Sequence, residues 1–360
     1  MINQMCWLFT YLKEHNYQRI QRYPLRKYPV SVSTLLNEIG LLERFISNRN
    51  SLFSISLNPG FYTVFQNQTL KNLRERFFLN QAFPVRMWET LFSQERITTW
   101  QQKTLLKKVL HDKWQFDYRI IPYDTLLLLT SRFDRTDPQF TFLSFDSLYL
   151  ATFIKKRLQK LADTYETGLD LGCGTGIQSF SISPYCKKVL GLDINPHAIP
   201  LARMNASLNG ISHCTFEQGD IATTNNGTFD IVVSNPPFIF YPANDGNALD
   251  SNGGAPFGLG ITAALLKALP KLLKKEGRAF IMTRAPIINK RDYLLDQIPA
   301  WVSHEYAYQY HHISDSITPM QPFETALGIT GYRNIILELY RGNNHQIIRY
   351  PWWHRQTNIF

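Results

Sequence analysis

The spacing of apolar residues changes character near residue 140. In the first 110 residues the runs read mainly as helices: in "VSVSTLLNEIGLLERFI" apolar side chains recur every three or four positions, one face of a helix. "SISLNPGFYTVF" alternates instead and is broken at Asn58-Pro59-Gly60, which predicts strand and turn. "DYRIIPYDTLLLLTSRFD" predicts short strands broken at Pro122, and "PQFTFLSFDSLYLATFIKKRL" a connection that opens a helix. Polar, proline-bearing "DRTDPQ" (134–139) between them is a natural boundary.

Beyond it, short apolar runs alternate with helical stretches. "TGLDLG", "KKVLGLD", "FDIVVS" and "GRAFIMT" have the continuous hydrophobicity of strands buried on both faces. "PHAIPLARMNASLNG" and "GITAALLKALPKLLKKEG" predict helices, the second kinked or divided at Pro270. Two last strands, forming an antiparallel pair, are expected from "WVSHEYAYQYHH" to "RNIILELY". Such alternation predicts an open, doubly wound sheet with ligand at the carboxyl ends of its strands.

Composition narrows the classes. A hydrophobic fraction of 44% with 18% charged residues excludes a disordered chain. No run of 18 apolar residues occurs, so no membrane span is expected. The N-terminus lacks the pattern of a secretory signal. Cys6, Cys173, Cys186 and Cys214 are scattered without a CxxC pair, which argues against a zinc site or a disulfide framework and fits a reducing cytoplasm. The net charge of +10 is uneven: residues 1–140 carry 19 Lys and Arg against 11 Asp and Glu, the remainder 19 against 17. A basic N-terminal part suits RNA, an acidic protein, or simply a solvated surface.

Candidate chemistry gathers at the ends of the predicted strands. "DLGCGTG" places Asp170 before Gly172, Gly174 and Gly176, a tight turn between strand and helix where bare backbone approaches a ligand. The spacing is not the G-x-G-x-x-G of dinucleotide folds, and no lysine follows as in a P-loop. Asp193, followed by Ile194, ends the second strand and could accept ribose hydroxyls or cap the next helix. Asp220 with Ile221 ends the third and could meet an adenine, or be a loop acid. Asn235-Pro236-Pro237-Phe238 ends the fourth, a rigid construction after a buried strand.

Taken in that order, these four elements resemble the class I S-adenosylmethionine-dependent methyltransferases over roughly residues 140–342. More narrowly they are similar to the small methyltransferases with an NPPY/NPPF motif, among them HemK-like glutamine N-methyltransferases and several rRNA and DNA base N-methyltransferases. The resemblance implies a Rossmann-like seven-stranded methyltransferase sheet and S-adenosylmethionine as cofactor. Asp170, Gly172, Gly174 and Gly176 would cradle its amino-acid part, Asp193 and Ile194 the ribose end, and Asp220 and Ile221 the adenine. Asn235 with Pro236 would accept the N–H groups of a planar NH2, Pro237 would stiffen the turn, and Phe238 would stack on the acceptor. "ALDSNGGAPFGLGI" resembles the glycine-rich segment after the motif in HemK-like enzymes, with an insertion at Ser251-Asn252. Phe145-Asp146-Ser147 stands where that family carries an arginine-containing segment.

The expected organisation is a mainly helical substrate-recognition domain with short strands (1–139), a methyltransferase domain (140–345) and a tail (346–360). An exocyclic base amine in RNA is the expected acceptor, on the basic N-terminal part and the phenylalanine of the motif. A protein glutamine, a small-molecule amine and a degenerate cofactor-binding module are the alternatives. His111, His197, His311 and His312 lack ligand spacing, Cys173 reads as a small filler, and Trp352-Trp353 as a packed tail or a recognition patch.

Overall fold

The computed structural model describes residues 1–17, 68–132, 141–220, 227–241, 252–315 and 322–350, with backbone alone at 29–31, 54–56 and Phe145. Of the helix expected at 30–46, Val30 and Ser31 stand in a short strand instead; its remainder (32–46), most of "SISLNPGFYTVF", the boundary at 134–139, Ile221 and Trp352-Trp353 lie outside the described residues.

The chain divides into two units. The first takes Met1–Leu143 and Ser207–Gly210. Helix α1 (Ile2–Glu14) buries Met5, Leu8, Phe9 and Leu12, one helical stripe. Strands β1 (Pro29–Ser31) and β2 (Ser54–Ser56) pair antiparallel. Helix α2 (Gln68–Leu73) runs into a π-helical turn, Arg74–Phe78. Then come β3 (Phe83–Pro84), α3 (Val85–Trp88) and α4 (Gln94–Gln102), followed by β4 (Leu106–Leu110) and β5 (Lys113–Phe116), which close a three-stranded sheet with β3. Aromatic edges fill this unit: Phe77 meets Trp88, Phe92 and Phe116 at ring separations of 5.0–6.0 Å.

Strands β6 (Tyr118–Tyr123) and β7 (Leu126–Ser131) form a hairpin that turns at Asp124-Thr125, not at Pro122 as the sequence suggested. Tyr123 and Leu126 flank the two-residue loop, which makes theirs the hydrogen-bonded pair and Pro122 with Leu127 the non-bonded one. The missing proline N–H therefore removes no ladder bond. Part of the unit's positive charge is internal: Arg74, Arg76 and Arg119 are buried, and burial lowers Arg119 to about 9. These three cations add nothing to a surface field.

The second unit is Ser144–Ala206 with Ile211–Ile359. Its elements alternate: α5 (Phe145–Leu161), β8 (Tyr165–Leu171), α6 (Ile177–Ile182), β9 (Cys186–Asp193), α7 (Ala198–Leu208), β10 (Cys214–Gln218), β11 (Phe229–Ser234), α8 (Gly260–Leu272), β12 (Leu273–Ile288), β13 (Arg291–Asp292), α9 (Tyr293–Trp301), β14 (Tyr306–Asp315), α10 (Pro322–Ala326), β15 (Ile329–Arg341) and β16 (Gln346–Arg349). The strand order is β10-β9-β8-β11-β12-β15-β14-β16, with β13 paired to β12. Strands β10, β9, β8, β11 and β12 are parallel; β15 runs against both β12 and β14. The seven expected strands are thus present, and β16 and β13 extend the sheet.

The two faces are both covered. Leu169, Leu171, Val232, Ala279, Ile281 and Leu337 pack with Leu265, Leu266 and Leu269 of α8 and with Leu294 and Ile298 of α9. On the other face Phe280 meets Phe153 of α5 edge-on, with centroids 6.4 Å apart. Fully buried Glu338 on β15 ties α5 to that face: it binds Arg157 and Arg278 at 2.8 Å each. Burial raises its pKa, but His311 3.7 Å away, the hydrogen bond from Arg157 and the two guanidinium charges outweigh this and hold it below the ordinary value. Helix α8 stops at Leu272, and Leu273–Gly277, which the sequence assigned to it, opens β12. Pro270 removes a helical hydrogen bond, and the chain leaves the helix two residues later. Among the described residues no helix is long and apolar enough to cross a membrane.

Candidate functional site

The strand order reverses between β8 and β11: from β8 the chain proceeds outward to β9 and β10, whereas β11 leads to β12 on the opposite side. The crevice at the carboxyl ends of these two strands is the topological switch point, where a doubly wound sheet takes its ligand. The loop after β8 begins at Gly172, and the loop after β11 begins at Asn235. Ser234 Oγ donates to the Leu171 carbonyl at 2.7 Å, so the two strand ends are bonded directly beneath them.

The first loop is held almost wholly by backbone. The Gly172 and Cys173 N–H groups donate to the Leu192 carbonyl at 2.8 and 2.9 Å, and Gly176 N–H to the Cys173 carbonyl at 2.7 Å. Gly172, Gly174 and Gly176 have φ of 74°, 51° and 88°, a region that strains any residue with a Cβ. At Gly176 space forbids it as well, since a Cβ would lie 2.7 Å from the Phe180 ring. At Gly172 nothing stands within 4 Å of that position, so bare backbone faces open room. Asp193 locks the loop, with Oδ2 accepting from Gly174 N–H at 2.8 Å and Oδ1 from Asn195 N–H at 2.9 Å. It does not cap α7, which starts at Ala198.

Asp170 is fully buried on β8. Its Oδ2 accepts from the N–H and hydroxyl of Ser179 at 2.8 and 2.7 Å, while Oδ1, buried, has no partner. Burial and, to a lesser degree, the charge of Asp193 push the carboxyl up to about 7 against the Ser179 bonds. A buried carboxylate oxygen without a donor, beside an open glycine cradle, is suited to a ligand ammonium.

The second loop presents Asn235. Its Nδ2 donates to Ser147 Oγ at 2.9 Å, while its Oδ1 is buried and unpartnered. Ser147 is itself fixed at the start of α5: its N–H donates to the capping Ser144 Oγ at 3.3 Å, and its carbonyl accepts from Gln178 Nε2 at 2.8 Å. Pro236 is buried, and Pro237 and Phe238 are half-buried. The glycine-rich segment presses on this loop. Gly253 N–H donates to the Ile239 carbonyl at 2.9 Å, and Ile239 bridges Asn252 in parallel.

The structure therefore brings Asp170, the three glycines, Asp193 and Asn235-Pro236-Pro237-Phe238 to the carboxyl ends of β8, β9 and β11. Ile194 is 68% exposed beside Asp193, and Asp220 is half-buried two residues after β10. His311 and His312 are buried in packing contacts, His311 bonding the Tyr350 hydroxyl at 2.8 Å, and Cys173 is buried with its thiol raised by burial. The residues that pattern reading did not single out for roles are Ser144, Ser147, Gln178, Ser179 and Arg284. The one legible signal was the Ser-x-x-Ser spacing at the start of α5; the others acquire partners only through folding.

A parallel sheet reversing at β8/β11, a φ-positive glycine turn over a buried acid with one oxygen unpaired, and an Asn-Pro-Pro-Phe loop define the class: a methyltransferase domain of the S-adenosylmethionine-dependent kind. Residues 163–328 match the family model described as "Methyltransferase domain". Among curated relatives, a candidate protein N5-glutamine methyltransferase of Methanocaldococcus jannaschii is 36% identical over 115 residues, 30% of this chain and 57% of that protein. An uncharacterized RNA methyltransferase of Clostridium tetani is 37% identical over 75 residues, 20% of this chain and 16% of that one. A release factor glutamine methyltransferase of Xylella fastidiosa is 36% identical over 94 residues, 24% and 34% of the two. The match thus spans just over half of the first relative and less of the others.

If a ligand ammonium pairs with Asp170, cofactor binding should depend on pH. An ammonium pairs with its ionised form, so affinity should rise as pH climbs toward about 7 and level off above. On the acid side the change is about tenfold per pH unit. The sign for stability is opposite. A carboxyl raised in the fold stabilises the ligand-free protein fully below the unfolded value of about 3.9, and this is lost as pH rises through about 7. Calorimetric titration of S-adenosylhomocysteine across this range checks the first expectation. An Asp170→Asn protein should bind weakly with a flat profile.

Proposed function

We propose that this protein transfers a methyl group from S-adenosylmethionine to a planar NH2 nitrogen, and that the acceptor is an exocyclic base amine in RNA. The observation that carries the reaction type is the orphaned Asn235 Oδ1 held beside an amide nitrogen that is already engaged. An amide or aryl amine is a poor nucleophile because its lone pair is delocalised. Accepting one N–H at Asn235 Oδ1 and the other at the Pro236 carbonyl turns that lone pair out of the plane, and Phe238 steadies the flat face. Stacking of this kind contributes ~1–3 kcal/mol per base. The bound cofactor supplies the electrophilic methyl; the chain supplies position and a dry, oriented acceptor. An N–CH3 bond would form as the S–CH3 bond breaks, giving the N-methyl amine, S-adenosylhomocysteine and a released proton.

The cations of residues 1–140 support RNA as acceptor, less those buried in the first unit. A protein glutamine is the second reading, favoured by the glutamine methyltransferases among the relatives. Tritiated-methyl transfer into a lysate, with nuclease or protease treatment, separates them. Label lost to nuclease supports the RNA reading; label lost to protease overturns it in favour of glutamine.

Ser147→Ala should lower transfer by about 3–10-fold, the worth of one hydrogen bond, with cofactor affinity unchanged. Ser147→Thr, which keeps the hydroxyl, should restore much of it. Equal rates for Ser147→Ala and the parent would show that the Asn235 amide is oriented without this contact.

A further inference from the structure

Arg284, on β12, carries a guanidinium that no described residue hydrogen-bonds. It is 6% exposed, and its Nε is buried without a partner. Its Cζ lies 3.8 Å over the Tyr332 ring, and Tyr332 is pinned by its hydroxyl donating to Glu324 Oε1 at 2.6 Å. One flat face of the guanidinium is thus covered, and its N–H edge is what remains to offer.

Sheet register puts Arg284 on the same face as the acceptor loop. Asp170 pairs with Val233, and Val233 with Phe280. Alternation along each strand then places Asp170, Asn235, Phe280, Met282 and Arg284 on the same face, the one that α5 covers. Asp146 of α5, next to Ser147, acts electrostatically on Arg284, as do Glu324, Tyr332 and Tyr241. Besides His311 Nε2, which lies 3.7 Å from Glu338, four buried polar atoms without a hydrogen-bond partner belong to strand ends or helices of this face: Asp170 Oδ1, Gln178 Oε1, Asn235 Oδ1 and Arg284 Nε. The first faces the cofactor cradle, and Asn235 Oδ1 awaits an N–H. Arg284 is the donor among the four, and it asks for an oxygen or nitrogen acceptor.

The character of that acceptor follows from charge. The carboxyls of Asp146 on α5 and Glu324 on α10 act electrostatically on the guanidinium, and burial raises the pKa of Asp146; what the guanidinium lacks is a hydrogen bond. A neutral carbonyl oxygen fits, where a phosphate would add negative charge beside these acids. Geometry separates the carbonyl sources. Asn235 and Arg284 extend from neighbouring strands ~4.8 Å apart, and because Ser234 pairs with Ile281, Arg284 stands two residues further along than the position level with Asn235. A side-chain amide carries its NH2 and oxygen on one carbon, whereas guanine and cytosine carry them on separate ring atoms. Adenine has no carbonyl.

Resting on the RNA reading above, we propose that Arg284 is a specificity-determining residue that donates to the ring carbonyl of an amino-oxo base, guanine or cytosine, while Asn235 holds its amine. Planar and forked, the arginine edge suits a carbonyl in a way a lysine does not.

The test uses the full-length protein, methylated RNA digested to nucleosides, and Arg284→Met and Arg284→Lys variants checked for fold by melting temperature. Label on guanine or cytosine is expected, with acceptor KM raised about tenfold or more in Arg284→Met, the loss of a charged hydrogen bond, and cofactor affinity unchanged. Arg284→Lys should recover little. Label on adenine, or parental acceptor KM in Arg284→Met, would overturn the proposal. A direct arm does not depend on turnover. With S-adenosylhomocysteine present, the Arg284 Nε–H resonance, assigned by its loss in Arg284→Lys, should shift on adding guanosine or cytidine and not adenosine or N-acetylglutamine amide. A shift with adenosine or the amide instead, or with none of them, overturns it as well. If the RNA reading alone fails, lysate label is sensitive to protease while this resonance still answers the oxo bases.

Discussion

Asn235→Ala protein should bind S-adenosylhomocysteine like the parent yet transfer methyl about 10²–10³-fold more slowly, the scale lost when one preorganised hydrogen-bonding group is removed from a reacting centre. The reason lies in division of labour within one side chain. Nδ2 is tied to Ser147 at 2.9 Å, which fixes the amide plane, and Oδ1 is left buried with nothing to accept. Leaving such an oxygen unpaired in the free protein is unfavourable by ~1–3 kcal/mol, and an acceptor N–H relieves that when it docks. Alanine removes both the anchor and the vacancy. Cofactor contacts survive, because the glycine loop is held by Leu192, Cys173 and Asp193 rather than by Asn235. Parallel calorimetry and single-turnover transfer decide the matter. A rate within a few-fold of the parent, at equal cofactor affinity, would remove Asn235 from the chemistry.

Gly253→Ala is the second large effect, and it should strike stability and transfer together. A Cβ at Gly253 would sit 1.9 Å from the Gly258 carbonyl oxygen and 2.7 Å from Phe238 Cα. Both are backbone, so neither can swing aside. The glycine segment must lift off the Asn235–Phe238 loop and give up the Gly253 to Ile239 and Ile261 to Gly253 backbone bonds. Overpacking of this kind is destabilising by ~1–3 kcal/mol, which lowers Tm by about 2–4 °C for each kcal/mol in a protein of this size. Transfer should fall more than stability alone explains, since Phe238 moves with the loop. Gly172→Ala is the contrasting control: its φ of 74° strains an alanine, but nothing lies within 4 Å of the new methyl group. It should disturb cofactor binding and spare the acceptor loop. Thermal melts of the two proteins beside cofactor titrations distinguish the effects.

Apolar runs and breakers were sufficient to read the second unit. "TGLDLG", "KKVLGLD", "FDIVVS" and "GRAFIMT" became β8, β9, β11 and β12 because strands covered on both faces need continuous hydrophobicity, and the chain has little else in those places. The glycine turn and Asn235-Pro236-Pro237-Phe238 were legible for a similar reason: each is a local backbone requirement written in neighbouring residues. Pro122 misled because a proline's effect depends on whether its nitrogen faces a partner strand, which register alone decides. The end of α8 was misplaced because Leu273 and the lysines after it satisfy a helical pattern as well as the first turns of β12. The positive charge of residues 1–140 overstated the surface field, since nothing near Arg74, Arg76 or Arg119 in the chain shows that they are buried.

What the sequence determined by itself is the order of strands and helices, the turn that exposes backbone at Gly172, and the rigid loop at Asn235, for these depend on contacts between residues close along the chain. What only the tertiary structure decided is which polar atoms are left without partners. Asp170 finds Ser179 nine residues on, Asn235 finds Ser147 across 88 residues, and Arg284 finds Tyr332 on the neighbouring strand. Satisfaction of a buried group is a property of its surroundings, so the unpaired oxygens and the unpaired guanidinium edge that give this site its chemistry emerge only when the sheet has brought those distant positions to one face.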